Sequence, residues 1–190
     1  MNQKHLALCS SPEWAKMIEH EAIPWVLEGV DLGDDLIEVG PGPGAATEVL
    51  RHRVRRLTAV EYDADIAAGL AARMAGTNVD VVRADATNLP FEDARFSGAA
   101  SFTMLHHVPT EELQDKLFAE LARVLRRGAA LAGSDSLDSP EFRELHENDV
   151  CMPLNPATLA GRLHDAGFAE VDVETHDVGA IRFVARIRAR

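Results

Sequence analysis

LIEVGPGPGAATEVL, residues 36–50, is an apolar run that stops in three alternating glycines and resumes as helix-forming residues. Gly40, Gly42 and Gly44 permit positive φ and close backbone approach, while Pro41 and Pro43 hold φ near about −65° and remove an N–H. The stretch predicts a strand, a tight turn and a helix over about residues 45–52. No bulky side chain stands over such a loop, so a ligand can lie directly on its backbone. The helix start beyond it turns free N–H groups toward that ligand, which favours a carboxylate or phosphate there. A turn serving only to pack strand on helix rarely needs three alternating glycines.

Outward from this stretch, strands and helices alternate. On the N-terminal side, Ser10 to Glu13 has the form of a capping box, and Trp14, Met17 and Ile18 follow at helical spacing, predicting a helix over 11–22. Pro24 is expected to open a second short helix through Leu27, and Gly29 to Asp34 to turn into the first strand. On the other side, Leu57 to Val60 reads as a strand ending in Glu61, Tyr62 and Asp63, with an Ala-rich helix over 64–75. Val79 to Arg83 is a third strand with Asp85 beyond its end, and Gly98 to Phe102 a fourth. Glu111 to Arg127 is amphipathic and closes at Gly128, Ala129 to Ser134 is a fifth strand, and Pro156 to Ala166 is a helix closed by Gly167. Such alternation implies right-handed crossovers and a parallel sheet with helices on both faces, an α/β fold. Phe168 to Thr175 and Ile181 to Ile187 are too close together for a parallel crossover, so they form an antiparallel hairpin.

The chain of 190 residues supports one core, so residues 1–190 are expected to be a single domain, with residues 1–30 as an N-terminal helical lid. Its hydrophobic content of 46% contains no run near the roughly 18 residues of a membrane span, and the first residues do not resemble a secretory signal. A cytoplasmic protein is expected, with no membrane partner. Cys9 and Cys151 have no evident reason to pair and are expected to be free. A net charge of −12 repels phosphate backbones, which predicts no nucleic-acid partner. Arg51, Arg53, Arg55 and Arg56, and again Arg182, Arg186, Arg188 and Arg190, cluster beside strands and read as solvated edges. Oligomeric state is not readable.

In open α/β sheets ligands bind beyond the carboxyl ends of the strands. Four ends here carry suggestive groups: the glycine loop, Glu61, Asp85, and Phe102 to His107. Glu61 can accept two hydrogen bonds from a ribose diol, Tyr62 can stack on a purine, Asp85 can accept from an exocyclic amine, and the Ala86 N–H can meet a ring nitrogen. Together they describe an adenosine pocket. GPGPGA satisfies a dinucleotide pattern too, but Pro43 removes an amide that a pyrophosphate would use, and the terminal hairpin spoils a second dinucleotide half.

Through EVGPGPG at 38–44, Glu61 with Tyr62, RADATNLPF at 83–91 and SFTMLHHV at 101–108, the chain resembles a class I S-adenosylmethionine-dependent methyltransferase of the small-molecule type. The likeness covers most of residues 30–190. It implies a Rossmann-like seven-stranded sheet, mostly parallel, with the last strand antiparallel. It implies S-adenosylmethionine as cofactor, held by Gly40, Gly42, Gly44, Glu61 and Asp85 with Ala86, and a small-molecule methyl acceptor; Glu38, Tyr62 and Phe102, beside these positions, are expected to complete the cofactor site. The family often has a more elaborate substrate cap than this chain can supply, so the acceptor is left open.

Methyl transfer from a sulfonium is mostly a matter of positioning. His106 and His107, after the fourth strand, are the candidate general bases. As neighbours in sequence they are expected to point apart, and Asp135 with Asp138 lacks a third ligand, so no metal ligands are predicted. The cover of the site is sought in the N-terminal helices with Leu6, Trp14, Met17 and Ile18, and in Phe142 to Met152. Two rival functions share this site: a module that binds S-adenosylmethionine without turnover, and an NAD-linked reductase.

Overall fold

The computed structural model describes residues 2–189. Seven strands form one sheet: β1 (Asp35–Val39), β2 (Arg56–Glu61), β3 (Val79–Arg83), β4 (Phe96–Phe102), β5 (Leu125–Ser136), β6 (Glu170–His176) and β7 (Ala180–Arg186). Their order is β3-β2-β1-β4-β5-β7-β6. The first five strands pair in parallel, and β7 lies antiparallel between β5 and β6. The expected mixed seven-stranded sheet is present, and the hairpin forms one rim with its second strand, β7, against β5 and β6 outermost. Arg182 therefore does not sit at a solvated edge: on β7 it is buried and bonded to Glu174 at 3.0 Å. Arg190 of the same cluster lies outside the described residues.

Side chains alternate across the pleat, and both faces are buried, as a parallel sheet requires. Ile37, Val39, Ala99, Leu131, Ile181 and Phe183 face one layer, made by α6 (Glu111–Val124) and α8 (Pro156–Asp165) with Leu117, Phe118, Leu121, Leu159 and Leu163. Leu36, Leu57, Ala100, Ala130, Ala132 and Val184 face the other, where Ala46 and Leu50 of α4 (Ala45–Leu50) pack beside Ile18, Ile23 and Val26. A third group, Ala59, Leu70 and Met74, seats α5 (Ala64–Met74) on β2.

The N-terminal segment is where local signals and structure differ most. It begins with α1 (Gln3–Cys9), which carries Leu6 and is separate from the helix expected over 11–22, capped by the Asn2 side chain accepting from the His5 N–H at 2.8 Å. The cap of α2 (Pro12–Met17) is Ser11, not Ser10; the Ser10 hydroxyl instead donates to the Leu6 carbonyl at 2.7 Å and closes α1. The helix does not stop before Pro24 but runs through a π turn (Ile18–Ala22) into α3 (Ile23–Val26). Proline lacks an N–H and its ring presses on the preceding turn, which the wider π turn accommodates. Burial of Ile18, Ile23 and Val26 on the sheet makes this continuation worthwhile.

The amphipathic helix at Glu111 ends at Val124, three residues short of its expected end at Arg127 before Gly128. Leu125 is buried and pairs with Phe96, so the chain enters the sheet early and then bulges, with Gly128 at φ 76°, before Ala130 meets Gly98. The turn into β1 also presses on β4: a Cβ on Gly98 would stand 2.3 Å from the Leu32 carbonyl oxygen. Backbone cannot yield there as a side chain can. Gly98→Ala should thus lose more than about 2 kcal/mol in urea unfolding. Gly161→Ala, mid-helix in α8 with nothing within 4 Å, should gain about 0.5–1 kcal/mol. Equal effects of the two substitutions would contradict this packing.

Candidate functional site

The carboxyl ends of β1, β2, β3 and β4 open into one cavity of about 700 Å³. Its lining brings together Glu38, Gly40, Gly42, Glu61, Tyr62, Asp85, Ala86 and Phe102, eight of the nine residues expected at a cofactor. Gly44 stands just behind, at φ 91° as the residue that starts α4. Gly40 and Gly42 also have positive φ, 66° and 53°. A Cβ on Gly40 would lie 1.9 Å from Met104 Cγ, so glycine is needed there for space as well as for conformation.

Glu61 ties two loops together. One carboxylate oxygen accepts from the Gly42 N–H at 3.0 Å and the other from the Asp63 N–H at 2.9 Å. Each oxygen keeps a second lone pair for a ligand. Asp85 accepts from both the N–H and the hydroxyl of Thr87 at 2.8 Å, which shapes the loop beyond β3 while Asp85 itself stays exposed. Tyr62 is 74% exposed at the rim, free to lie on a flat ligand.

Glu38 is fully buried, and the Thr47 hydroxyl donates to it at 2.7 Å. Burial pushes its carboxyl up to about 7; the Thr47 bond opposes this and the nearby Glu61 charge adds to it. Sequence inspection could list Glu38 but could not show that it is half-protonated near neutrality. Because its folded pKa lies above that of an ordinary glutamate at 4.5, the folded chain holds the extra proton between these values. Its contribution to stability is full in acid and is lost as pH rises through about 7. Glu38→Gln, which keeps an acceptor for Thr47, should therefore gain roughly 1–3 kcal/mol on wild type between pH 5 and pH 8 in denaturant titrations. A difference that does not vary with pH would contradict the burial of a titrating carboxyl.

Thr103 and Met104, not singled out from sequence, also line the cavity. Thr103 has φ 49°, uncommon for a β-branched residue, and its N–H donates to the Ser134 carbonyl at 2.8 Å. No residue-type signal marks such strain. The turn beyond it, Leu105–His107, is a single 3₁₀ turn. It is held by Gln114, whose side-chain N–H groups donate to the Leu105 carbonyl at 3.0 Å and the Met152 carbonyl at 2.9 Å.

His106 and His107 do not point apart as neighbours were expected to do. In the tight turn their ring centroids are 4.2 Å apart, and both meet His5 of α1 and His146, the residue that ends α7 (Pro140–Leu145). His106 is buried, with Nδ1 at 2.5 Å from Asp135 Oδ1. Asp135 is not a loop charge: burial would raise its carboxyl, but the His106 charge and hydrogen bonds from His106 and Ser136 hold it below the usual range. Only His107 of the pair borders the cavity. Burial, then the charges of His106 and His5, pushes His107 down to about 3, so it is a neutral and weak base. Burial and the charges of His146 and His106 lower His5 to about 4. Burial likewise lowers His146.

The far wall of the cavity is apolar. Leu6, Cys9, Trp14 and Ile18 supply it from the N-terminal helices, and Val150 with Asp149 from the segment after α7. These two coverings are joined: the Asn2 N–H donates to Asp149 at 2.6 Å and the Asn2 amide to the Leu145 carbonyl at 2.9 Å.

Residues 37–133 match the model of a methyltransferase domain. The chain is 34% identical over 119 residues to ribosomal RNA small subunit methyltransferase A of Acidithiobacillus ferrooxidans, covering 54% of this chain and 43% of that protein. It is 27% identical over 170 residues to a probable S-adenosylmethionine-dependent methyltransferase of Mycolicibacterium smegmatis, covering 80% and 64%. The chain thus spans from under half to just under two thirds of these relatives. The crystal structure of a SAM-dependent methyltransferase from Aquifex aeolicus superposes with a TM-score of 0.77 over 98% of this chain and 99% of that one, at 18% identity, a likeness of fold. The expected exclusion of nucleic acid does not stand, since one of these relatives is a ribosomal RNA methyltransferase. Net charge averages over the whole surface, whereas an acceptor meets only the face around the cavity.

Proposed function

The chain belongs to the methyltransferase domain family, and from that premise we propose that it transfers a methyl group from S-adenosylmethionine to a small-molecule acceptor. One observation carries the reading: a single cavity joins the glycine loop, Glu61 and the Asp85–Ala86 loop to an apolar wall from α1, α2 and Ile18. Its volume of about 700 Å³ lies in the range of small-molecule sites.

The donor set suits the cofactor. Gly40 and Gly42 leave backbone open to its amino-acid end, and Glu61 offers its free lone pairs to the ribose diol. In this reading Asp85 and the Ala86 N–H meet the adenine edge and Tyr62 its face, with Phe102 also in the lining. Glu38, ionised above about pH 7, adds negative charge that favours a cationic ligand. When bound, S-adenosylmethionine supplies a methyl group already activated on a sulfonium. What remains for the protein is to align the acceptor and exclude water, which Leu6, Trp14, Met104 and Val150 do as apolar walls. Residues 2–17 and the segment after α7 are the cover in this reading. No proton transfer is assigned to His106 or His107, because the first does not border the cavity and burial makes the second too weak a base. Both cysteines are free, as a reducing cytoplasm leaves them, and we place the protein there. Among the described residues no helix is long and apolar enough to cross a membrane.

A second reading, a nucleobase of RNA as acceptor, is favoured by the ribosomal RNA methyltransferase relative. Incubation with methyl-labelled cofactor and, separately, total RNA and a small-metabolite fraction distinguishes the two by which fraction gains label. Binding without label in either fraction would leave a non-catalytic module, and nicotinamide binding would leave a reductase. For the cofactor site itself, Glu61→Gln should weaken binding of the demethylated cofactor by about 10- to 100-fold in calorimetry, the worth of a hydrogen bond to a charged group. Unchanged affinity in a folded variant would remove Glu61 from the site.

A further inference from the structure

We propose that His5, His106, His107 and His146 bind one divalent transition-metal ion, which latches the two covering segments to the end of β4. The four offer ring nitrogens that all lie within 4.8 Å of one another. His5 Nδ1 and the Nε2 atoms of His106, His107 and His146 are buried and have no hydrogen-bond partner. Such atoms in a fold are normally satisfied, and four of them facing one another need a common occupant. A ring nitrogen that carries no proton presents a lone pair, so a Lewis acid fits where a hydrogen-bond acceptor would not.

The surroundings have the form of an outer shell that orients metal ligands. His106 Nδ1 is held by Asp135 at 2.5 Å and His146 Nδ1 by the Phe142 carbonyl at 2.7 Å, each leaving Nε2 directed inward. A carboxylate or carbonyl on the remote ring nitrogen fixes the tautomer and raises ligand basicity. His5, His106 and His146 are 3%, 1% and 3% exposed, while His107 is half-buried and borders the cavity with its Nε2 atom itself buried. Four imidazoles and no open carboxylate suit Zn(II), Ni(II) or Cu(II) rather than Mg(II) or Ca(II). A tetrahedral ion with bonds of about 2.1 Å needs nitrogens about 3.4 Å apart, so the rings would draw in by about 1 Å or more at the widest pair. A closed four-ligand set marks a structural ion, not a catalytic one.

The ligands come from three separate places: α1, the turn after β4, and the end of α7. Without an ion, α1 is held at this end by the Asn2 bonds to Asp149, Leu145 and Glu147 and by ring contacts. With one, the cavity wall at Leu6 and Cys9 is fastened directly to the strand end that carries Met104. The inference stands apart from the identity of the methyl acceptor.

The test uses the intact chain, treated with a chelator and then titrated with zinc chloride by calorimetry. One zinc per chain is expected, with a higher unfolding temperature, and hydrogen exchange in residues 3–9 should slow. His5→Gln and His146→Gln should each weaken zinc binding by about 100-fold, whereas His20→Gln, at an exposed position, should not. Because a buried substitution can unfold the chain, Co(II) added to wild type gives a second measure: visible absorption of a four-coordinate site, displaced by zinc. Failure of wild type to bind zinc stoichiometrically, or equal binding by folded His5→Gln, would overturn the site. Binding with no change of exchange in residues 3–9 would overturn the latch.

Discussion

Strands β1 to β5 run in one direction, and this constraint arranges everything else. A parallel sheet needs a crossover between successive strands and cover on both faces, so its loops divide into two sets at opposite ends. The set at the carboxyl ends of β1, β2, β3 and β4 meets around one cavity. Residues as distant in sequence as Gly40, Glu61, Asp85 and Met104 become neighbours for that reason alone. The antiparallel β7 ends the parallel run beside β5, and its burial of Phe183 and Ile181 fills the core on the α6 and α8 face.

Within the cavity, polar and apolar halves come from different parts of the chain. The polar half is built on the strand ends and braced by backbone hydrogen bonds, with Glu61 spanning two loops. The apolar half is laid over it by the N-terminal helices and the segment after α7, which bind each other through Asn2, Asp149 and Leu145. Strand ends are rigid and suit precise polar contacts, whereas the covering segments supply the apolar wall. The N-terminal segment has both duties, since Ile18, Ile23 and Val26 belong to the core while Leu6 and Trp14 face the cavity.

Much of this was legible in the residues themselves. The strand at Leu36, the glycine turn, the carboxylate at Glu61 and the terminal hairpin each have a local cause: hydrophobic run length, backbone freedom, side-chain chemistry, or a loop too short for a crossover. These are properties of neighbours in sequence, and sequence states them directly. The strand boundaries at β2 and β3 followed within a residue or so for the same reason. Family membership followed from the same glycine loop and strand ends, and residues 37–133 match a methyltransferase domain.

What tertiary structure alone decided were the relations between remote segments. Helix α6 stops at Val124 because Leu125 finds Phe96 to pair with, a partner that helical periodicity does not reveal. The π turn before Pro24 exists because the sheet face buries Ile18 and Ile23 together. Adjacent histidines were expected to diverge, yet a 3₁₀ turn braced by Gln114 turns both toward His5 and His146. His5 and His146 are 141 positions apart, and no spacing rule joins them; only the packing of α1 against the segment after α7 does. Glu38 shows the same division, for its residue type is plain in the sequence while its raised pKa comes from burial, which depends on every layer packed around it.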